Sequence, residues 1–593
     1  MLKRNNLIKG IAALSLLTGA AFAQDEVVSY PGLGLEPGVH GGNLRLALAS
    51  APPTFNYYGD LSNDIKLFAQ QIFDTLVEFD LETYELVPGL ATSWDVSDDG
   101  LVYTFHLREG VTWHDGEPFT AADVEFTLNQ IVANPEARAG DAAVFVQNVD
   151  GENVPVVVEA LDDHTVQITL GAPSAAFVTQ LRAFFIMPKH ALLEYSQEGG
   201  ADASAINDAW PTTGDPTDVI GTGPFRLTNY TPGQLVQLER WDNYWKVDEA
   251  GNRLPYVDSL QFLVVTGTEA QTAQFLAGNL DQLNISGGQF PDFKSREVAG
   301  EPFRVLQSEA LFGSPPHLAF NFNAADPELA ELFSSSDFRR AMEYAVNRDR
   351  IIDDVYNGLA TWPGTPTAPV NGAFYEDTTE IMHGFDLDAA AAALDELGLT
   401  DTDGDGIRNI SADRQLEFTL TYGNDSATWT DVATILQNDF EQIGVRANLQ
   451  GIQSANLLSQ GMSGDFEAII VAIGNQPDPE LRKPIWQPGG SLYYWHRATQ
   501  PAEPGEPANF DAFFDFEHRL YEIFDLGSTL GDQEQRAELY REWQRINAEE
   551  ALVIMIAKPS NIAAVYDHVH NFVYSLGVIP GYNPVPFYYI SED

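Results

Sequence analysis

The chain of 593 residues contains no cysteine. This absence excludes disulfides, thiolate metal sites and a lipid-modified N-terminal cysteine together. Basic residues are also scarce, since 31 Lys and Arg stand against 86 Asp and Glu, giving a formal net charge of -55. Because phosphate binding needs clustered Lys and Arg, nucleic acid is excluded as a natural partner.

Long apolar runs are missing as well. The apolar run Ile11 to Leu17 follows the basic residues Lys3, Arg4 and Lys9, and it is well short of the ~20 residues that span a bilayer. The small-residue sequence Ala21-Phe22-Ala23 comes next. This order predicts a secretory signal peptide over residues 1–23, and we expect a freely diffusing periplasmic protein after its removal.

The acidic excess has two interpretations. It could serve a cationic cargo, or it could be a solvated surface suited to salty surroundings, where screening over ~8 Å or less weakens self-repulsion. Acidic residues occur throughout the chain rather than in one block, which favours the second interpretation. Length alone predicts several domains of ~150 residues.

The most informative stretch runs from Pro88 to Gln130. Asp98-Asp99-Gly100 is a tight-turn signal, and the alternation of Leu101, Tyr103, Phe105 and Leu107 after it predicts a half-buried hairpin strand. Further on, Thr120 can cap the N-terminus of a helix, and the Asp123 side chain can bond back to the Thr120 backbone. This pair predicts a helix that starts at about Thr120.

The same stretch closely resembles the oligopeptide-binding family, the extracytoplasmic solute-binding proteins of peptide and nickel ABC importers. The matching residues are Pro88, Leu90-Ala91, Ser93-Trp94, Gly100, Tyr103, Phe105, Leu107-Arg108, Gly110-Val111, Trp113 to Gly116, Pro118 to Ala121 and Asp123-Val124. Similar family motifs follow at Gly221 to Phe225 and at Ser336 to Arg348. The resemblance reaches from about Asn43 to the C-terminus.

The resemblance implies an α/β fold of two lobes joined by hinge strands, with an additional α+β domain inserted in lobe one. The expected parts are 24–57, 218–322 and 558–593 for lobe one, 58–217 for the inserted domain and 323–557 for lobe two. The residues themselves agree for lobe two, where a strand from Phe418 to Tyr422, a helix from Trp429 to Ile443 and a strand from Val445 to Leu449 favour a parallel sheet. A helix carrying Ile65, Phe68, Ile72, Leu76 and Phe79 is predicted to end near Asp80.

Ligand contacts come only from the resemblance. In peptide-binding members, a lobe-two loop supplies an aspartate that pairs with the peptide's ammonium group, and here that loop contains Gly474, Asn475 and Asp478. The anchor falls on Asn475 or on Asp478. Ser454 stands where the family often has a tryptophan, and Asn63, Thr428 and Trp429 align with pocket positions. Trp486 is near enough in sequence to line the cleft, although a core position is favoured for it over a contact.

The most specific chemical motif spans Thr400 to Asn409. Asp401, Asp403, Asp405 and Asn409 follow the alternating oxygen ligands of a calcium loop, with glycine at its sixth position. Ala412 occupies the position of the usual bidentate acid. A structural calcium ion and a plain acidic turn therefore both remain open, and no other cofactor is expected.

Nothing in the sequence demands an enzyme. Close carboxylate pairs such as Asp162-Asp163 are expected by chance in so acidic a chain, and no G-x-S-x-G or H-E-x-x-H motif is present. We therefore expect a monomeric binding protein that delivers oligopeptides to a membrane permease. The alternatives are the same role for an oligosaccharide or other polar solute and, more remotely, a secreted glycoside hydrolase.

Overall fold

The computed structural model describes residues 26–60, 63–138, 144–149, 152–308, 315–502, 506–573 and 582–591. The predicted signal peptide, residues 1–23, lies outside the described residues. In the described part of the chain, no helix combines the length and the apolar character needed to cross a membrane.

The first lobe is built on a four-stranded sheet. Its strands in spatial order are Phe225–Thr231, Leu235–Arg240, Ser259–Val264 and Asn43–Leu48. The last two strands are parallel and the other neighbours are antiparallel. The side chains of Leu44, Leu48, Leu260 and Phe262 are buried in the hydrophobic core on this sheet.

An antiparallel three-stranded sheet of Gln282–Asn284, Asn561–Tyr566 and Phe303–Ser308 lies beside the first-lobe sheet. The two sheets are joined at Asp281, whose backbone N–H donates to the Arg45 carbonyl at 2.9 Å. Arg45 in turn donates its own N–H to the buried Asp281 carboxylate at 2.7 Å. This sheet brings the C-terminal part of the chain back to the first lobe.

The inserted region carries a separate antiparallel sheet, with strand order Ala91–Val96, Val102–Leu107, Thr165–Thr169 and Val157–Asp162. Tyr103, Phe105 and Leu107 are buried whereas Val102, Thr104 and His106 are partly exposed, which confirms the predicted hairpin strand. The predicted helix start at Thr120 is also confirmed, because the Asp123 carboxylate accepts the Thr120 N–H at 2.9 Å.

The second lobe is built on a mixed five-stranded sheet. Its order is Arg446–Ile452, Glu417–Gly423, Ala468–Ala472, Pro316–Phe320 and Ile554–Met555. The first three strands run parallel, as predicted for the Phe418 and Val445 strands, and Pro316–Phe320 runs antiparallel to both of its neighbours.

Helices cover these sheets, and short strand pairs join the remaining segments. The α-helices are Asn63–Ile72, Ala121–Phe126, Phe177–Leu181, Lys189–Leu192, Thr268–Leu276, Phe290–Val298, Pro327–Ser334, Ser336–Tyr344, Arg348–Asp354, Leu387–Glu396, Ala427–Gln442, Ser454–Ser463, Lys483–Trp486, Asp515–Thr529 and Gln533–Glu549. The short pairs are Glu26–Val27 with Lys246–Val247, Val77–Phe79 with Leu86–Pro88, Val146–Val149 with Glu152–Pro155, Ala360–Thr361 with Lys558–Pro559, Asn409–Ser411 with Arg414–Gln415, and Val569–His570 with Tyr589–Ile590.

One predicted helix is shorter than the sequence pattern suggested. The helix ends at Ile72, and Val77–Phe79 is a strand that pairs with Leu86–Pro88. Leu76 and Phe79 are buried like Ile65, Phe68 and Ile72, because the strand continues into the same core. The apolar spacing therefore predicted the burial of Leu76 and Phe79 correctly, but it was wrong to predict that the helix continues beyond Ile72.

Within the described ranges, the buried apolar side chains form two large cores and one smaller cluster. One extends from Leu44 to Phe262, is shared by the first lobe and the inserted region, and includes C-terminal residues such as Val565 and Tyr588. The other extends from Leu318 to Ala557 and fills the second lobe. A smaller cluster around Phe275, Phe303 and Ile562 packs behind the three-stranded sheet.

Candidate functional site

The parallel strands of the second lobe bring three loops to one edge of the sheet. The carboxyl ends Gly423, Ile452 and Ala472 lie at the same edge because their strands are parallel neighbours. Loops that follow the carboxyl ends of parallel strands are the usual place for ligands in open α/β sheets. The expected contacts Thr428, Trp429, Ser454, Gly474 and Asn475 all follow these three ends.

The chain also crosses between the lobes at this edge. Pro316 starts the antiparallel strand opposite Ala472, and His317 pairs with Met555, so the chain enters and leaves the second lobe beside the three loops. On the other side of the crossing, Ser308 pairs with Asn561 in the three-stranded sheet. The edge that carries the loops therefore faces the first lobe.

Thr428, Trp429 and Ser454 belong to two helix starts at this edge. Thr428 and Trp429 lie in the first turn of Ala427–Gln442, where both side chains are half-buried and Trp429 packs against the second-lobe core. Ser454 begins the helix Ser454–Ser463, and its hydroxyl donates to the Asp425 carboxylate. The Asn424 N–H donates to the Ile452 carbonyl at 2.8 Å, which holds the two loops together.

The loop that begins at Gly474 is held by Asn371. The Asn371 amide donates to the carbonyls of Gln476 at 2.6 Å and Pro477 at 3.0 Å. The Asn475 amide donates to the Asn371 side-chain oxygen at 2.5 Å. Asn371 was not among the expected site residues, because 104 positions separate it from Asn475 and no local pattern indicates the contact.

Asp478 belongs to a buried ion pair. Its two carboxylate oxygens each accept a hydrogen bond of 2.7 Å from the Arg536 guanidinium. The side chains of Arg536 and Asp478 are 1% and 7% exposed. Arg536 already balances this charge, which argues against Asp478 as the anchor for a peptide ammonium group. Asn475 is buried as well, at 8% exposure, and its side-chain oxygen accepts the Gln476 N–H at 2.8 Å, so the structure assigns the anchor to neither candidate.

Glu480 is a second buried acid beside this pair. The Tyr540 hydroxyl donates to its carboxylate at 2.7 Å, and Lys483 Nζ lies 3.7 Å away. Burial raises the pKa of Glu480 to about 7, although Lys483 and Tyr540 favour the ionised form. No local pattern indicates this group, since its hydrogen-bond partner Tyr540 lies on a helix 60 positions away.

Trp486 is corrected from a cleft residue to a core residue. Its side chain is 3% exposed, and its ring centroid lies 5.4 Å from those of Trp495 and Trp543. The space between Trp486 and the loop residues Gly474 and Asn475 is only about 10 Å³, enough for one water molecule at most. Trp486 therefore supports the loop from behind and offers no ring face to a solute.

Asn63 lies at the first residue of the helix Asn63–Ile72 in the first lobe. The next residue, Asp64, fixes this helix to the end of the strand Asn43–Leu48. Its carboxylate accepts hydrogen bonds from the Ser50 N–H at 2.8 Å and from the Ser50 hydroxyl at 2.6 Å. The side chain of Asn63 is outside the described part of the structure, so its expected pocket role stays a prediction.

The acidic loop at Asp401 gathers three carboxylates. Single oxygens of Asp401, Asp403 and Asp405 lie within 4.8 Å of one another on an exposed turn. Hydrogen bonds from the Gly406 and Gly404 N–H groups hold the pKa of Asp401 below its usual value. These hard oxygen donors fit calcium. Asn409 differs from the expectation, because its side-chain oxygen accepts the Thr402 N–H at 2.9 Å and the Thr402 hydroxyl at 2.8 Å.

Solved structures share this architecture across nearly the whole chain. A substrate-binding protein of an ABC transporter from Listeria monocytogenes, CtaP, superposes with a TM-score of 0.72 at 24% identity, covering 93% of this chain and 100% of that one. The likeness confirms the predicted bilobal α/β fold. The finer boundaries of lobes and inserted domain stay predictions.

Sequence comparisons define the family. The model of the bacterial extracellular solute-binding proteins, family 5 Middle, matches residues 85–490. The chain is 27% identical over 586 residues to di/tripeptide-binding protein 1 of Pseudomonas aeruginosa, covering 96% of this chain and 97% of that protein. It is also 27% identical over 541 residues to a periplasmic alpha-galactoside-binding protein of Rhizobium meliloti, covering 86% and 75%. The chain belongs to the family 5 bacterial extracellular solute-binding proteins.

The Asp478–Arg536 pair gives a first prediction. Asp478→Asn leaves the buried guanidinium without its counter-charge, so we expect the free energy of unfolding to fall by about 3–5 kcal/mol. Chemical denaturation measures the change. The double variant Asp478→Leu with Arg536→Met, which buries no charge, should recover most of the loss. If the Asp478→Asn variant kept its stability but bound peptides more weakly, Asp478 would instead be a ligand contact.

Glu480 gives a second prediction. The folded state keeps this proton up to about pH 7, whereas an ordinary glutamate loses it near 4.5. Folded protein therefore binds more protons in this window, and ionisation of Glu480 lowers the free energy of unfolding as the pH rises. Glu480→Gln removes the titration and keeps an acceptor for Tyr540. The Tm of the variant minus that of the wild type should increase between about pH 5 and about pH 8.

A matched control is Glu328→Gln, which removes an exposed glutamate at the start of the helix Pro327–Ser334. Its Tm difference from the wild type should stay flat over the same pH range. A flat difference for Glu480→Gln as well would show that burial does not shift this group.

Proposed function

We propose that this protein is the substrate-binding component of an ABC importer and that it captures oligopeptides in the cleft between its lobes. The observation that supports this proposal most directly is the sheet edge of the second lobe, where three loops and both chain crossings meet. The protein acts as a monomer, without catalysis, in the periplasm after removal of residues 1–23. Its partner is the membrane permease of the importer.

Capture works through differential affinity for two arrangements of the lobes. A solute that touches loops of both lobes binds the closed arrangement more tightly than the open one, and this difference drives closure. The loop from Gly474 to Asp478 supports such a role because Asn371 and Arg536 hold it in place before any solute arrives. A pre-ordered loop loses little conformational entropy on binding.

Peptides are the leading cargo because relatives that match almost the whole chain carry peptide-binding names, including the di/tripeptide-binding protein of Pseudomonas aeruginosa. Main-chain groups of the loops would bind the peptide backbone, and water would fill the space around its side chains. Asn475 would act by shaping this loop, because its side chain is buried and already bonds to Asn371 and to the Gln476 N–H.

An oligosaccharide is the second candidate, and one observation favours it. The loop from Gly474 to Asp478 contains a single acid, and that acid is neutralised by Arg536. An uncharged loop suits an uncharged solute. The relative from Rhizobium meliloti that binds alpha-galactosides extends over 86% of this chain. Trp486 is in the core and offers no stacking surface to a sugar.

Thermal-shift screening tests the proposal. A ligand that binds only the folded state raises the Tm by mass action, so peptides of two to five residues and neutral oligosaccharides are compared at equal concentrations. We expect the peptides to give the larger shift. Shifts from oligosaccharides alone would favour the second candidate, and turnover of either class by purified protein would overturn the binding-protein assignment.

We also propose that the Asp401 loop holds a structural calcium ion. Calcium should raise the Tm of protein that was first dialysed against a chelator, because the ion binds the folded loop. Calorimetry should show a binding heat that the double variant Asp401→Asn with Asp405→Asn loses. Asp98→Asn, in another exposed acidic turn, is the matched control and should keep the heat. A titration without heat in the wild-type protein would make the loop a plain acidic turn.

A further inference from the structure

A cavity of about 660 Å³ lies between the inserted region and the second lobe. Residues 79–103 and 173–179 form one wall, and residues 370–374, 477–478 and 529–533 form the other. Among the expected ligand contacts whose side chains the structure describes, only Asp478 borders it. The cavity adjoins the loop held by Asn371, which lines it together with Pro477.

Aromatic rings from both walls face this space. Tyr84, Trp94 and Tyr103 come from the inserted region, and Phe374 comes from the second lobe. Trp94 is half-buried, and its ring lies 6.2 Å from that of Phe105 behind it. Tyr84 stacks on Tyr582 at 5.4 Å with an angle of 15° between the rings. Contacts with neighbouring rings therefore fix Trp94 and Tyr84 in place before a solute binds.

Tyr84, at the rim of the cavity, has an unusual backbone conformation. This residue has a φ of +59°, in the left-handed region that residues with a side chain rarely adopt. Such conformations persist where the surrounding structure requires them, and they cluster at binding sites. Here the conformation places the tyrosine ring at the rim of the cavity.

The charge of the lining indicates what the cavity accepts. The described lining residues include no Lys, Arg or His, and their two acids are the exposed Glu85 and the paired Asp478. The remaining polar groups are hydroxyls and amides such as those of Thr83, Thr179 and Gln533. An anionic group would find no counter-charge here, whereas an uncharged ring can stack on aromatic faces and hydrogen-bond at its edges.

The two walls touch at one side of the cavity. The Ala175 N–H donates to the Ser528 carbonyl at 2.8 Å, which joins the inserted region to the end of the helix Asp515–Thr529. A guest that contacts both walls stabilises this joined arrangement relative to one in which the walls have separated. The inserted region would thereby take part in closure directly.

We propose that this cavity is a compartment of the solute site, that it takes an uncharged, ring-bearing part of the cargo, and that Trp94 is the main stacking surface. The ring could belong to an aromatic side chain of a peptide or to a pyranose of an oligosaccharide. The proposal rests on the proposed capture of oligomeric solutes and adds the inserted region to the binding surface.

The first test is calorimetry with paired solutes. Tetraalanine is compared with the same peptide carrying one phenylalanine, and maltotriose is compared with the acyclic sorbitol. Trp94→Ala should weaken binding of the ring-bearing solutes by at least about tenfold and leave tetraalanine within about twofold. Trp241→Ala, which removes another half-buried tryptophan outside the cavity, is the control and should change neither.

The second test uses the absence of cysteine in this chain. Ala373→Cys places a single thiol on the second-lobe wall without altering Trp94, and Val298→Cys places one on a distant surface where the native side chain is 80% exposed. A ring-bearing solute should slow maleimide labelling of Ala373→Cys by at least about fivefold and leave Val298→Cys unchanged, because only the cavity wall becomes covered.

The outcomes separate this inference from the proposed function. If solutes raise the Tm but Trp94→Ala binds them normally and labelling of Ala373→Cys is unaffected, cargo binds elsewhere and only the cavity assignment falls. If no peptide or oligosaccharide raises the Tm of the wild-type protein, both proposals fall. Protection by the phenylalanine peptide or by maltotriose identifies which kind of ring enters.

Discussion

The separation of the buried side chains into two large cores is the constraint on which the rest of the structure depends. Because each lobe has its own core, the position of one lobe relative to the other depends on two chain crossings. It also depends on a few contacts such as that of Ala175 with Ser528. Such an arrangement allows rigid bodies to move about short connecting segments. Because both crossings lie at the edge that carries the candidate loops, a change of lobe arrangement changes the surroundings of those loops directly.

Within the second lobe, buried polar pairs keep the candidate loop in one conformation. The Asn371 amide bonds to the loop backbone, Arg536 neutralises Asp478, and Tyr540 satisfies Glu480. A buried charge without a partner is costly, so these groups are fixed relative to one another. The lobe can therefore present a loop that is irregular in backbone yet well ordered. The same network brings this loop to the wall of the cavity that faces the inserted region.

Sequence reasoning succeeded where the structural signal is local. Alternating apolar residues identified the strand that contains Tyr103 and Phe105, and Thr120 with Asp123 identified a helix start, because periodicity and capping involve neighbours in sequence. It failed beyond Ile72, where helical spacing of apolar residues continued across the change from helix to strand. The ion pair of Asp478 was also not predicted, since its partner Arg536 lies 58 positions away in the sequence.

The amino-acid sequence alone was enough to identify the family, the alternation of strands and helices, the strongly acidic character and the set of loops that contains the candidate contacts. These properties depend on composition and on short motifs. The partners of the side chains in those loops became known from the folded structure, because ion pairs and packing join residues that are remote in sequence. It placed Trp486 in the core, paired Asp478 with Arg536, buried Asn475 against Asn371, and brought Trp94 of the inserted region opposite Phe374 of the second lobe.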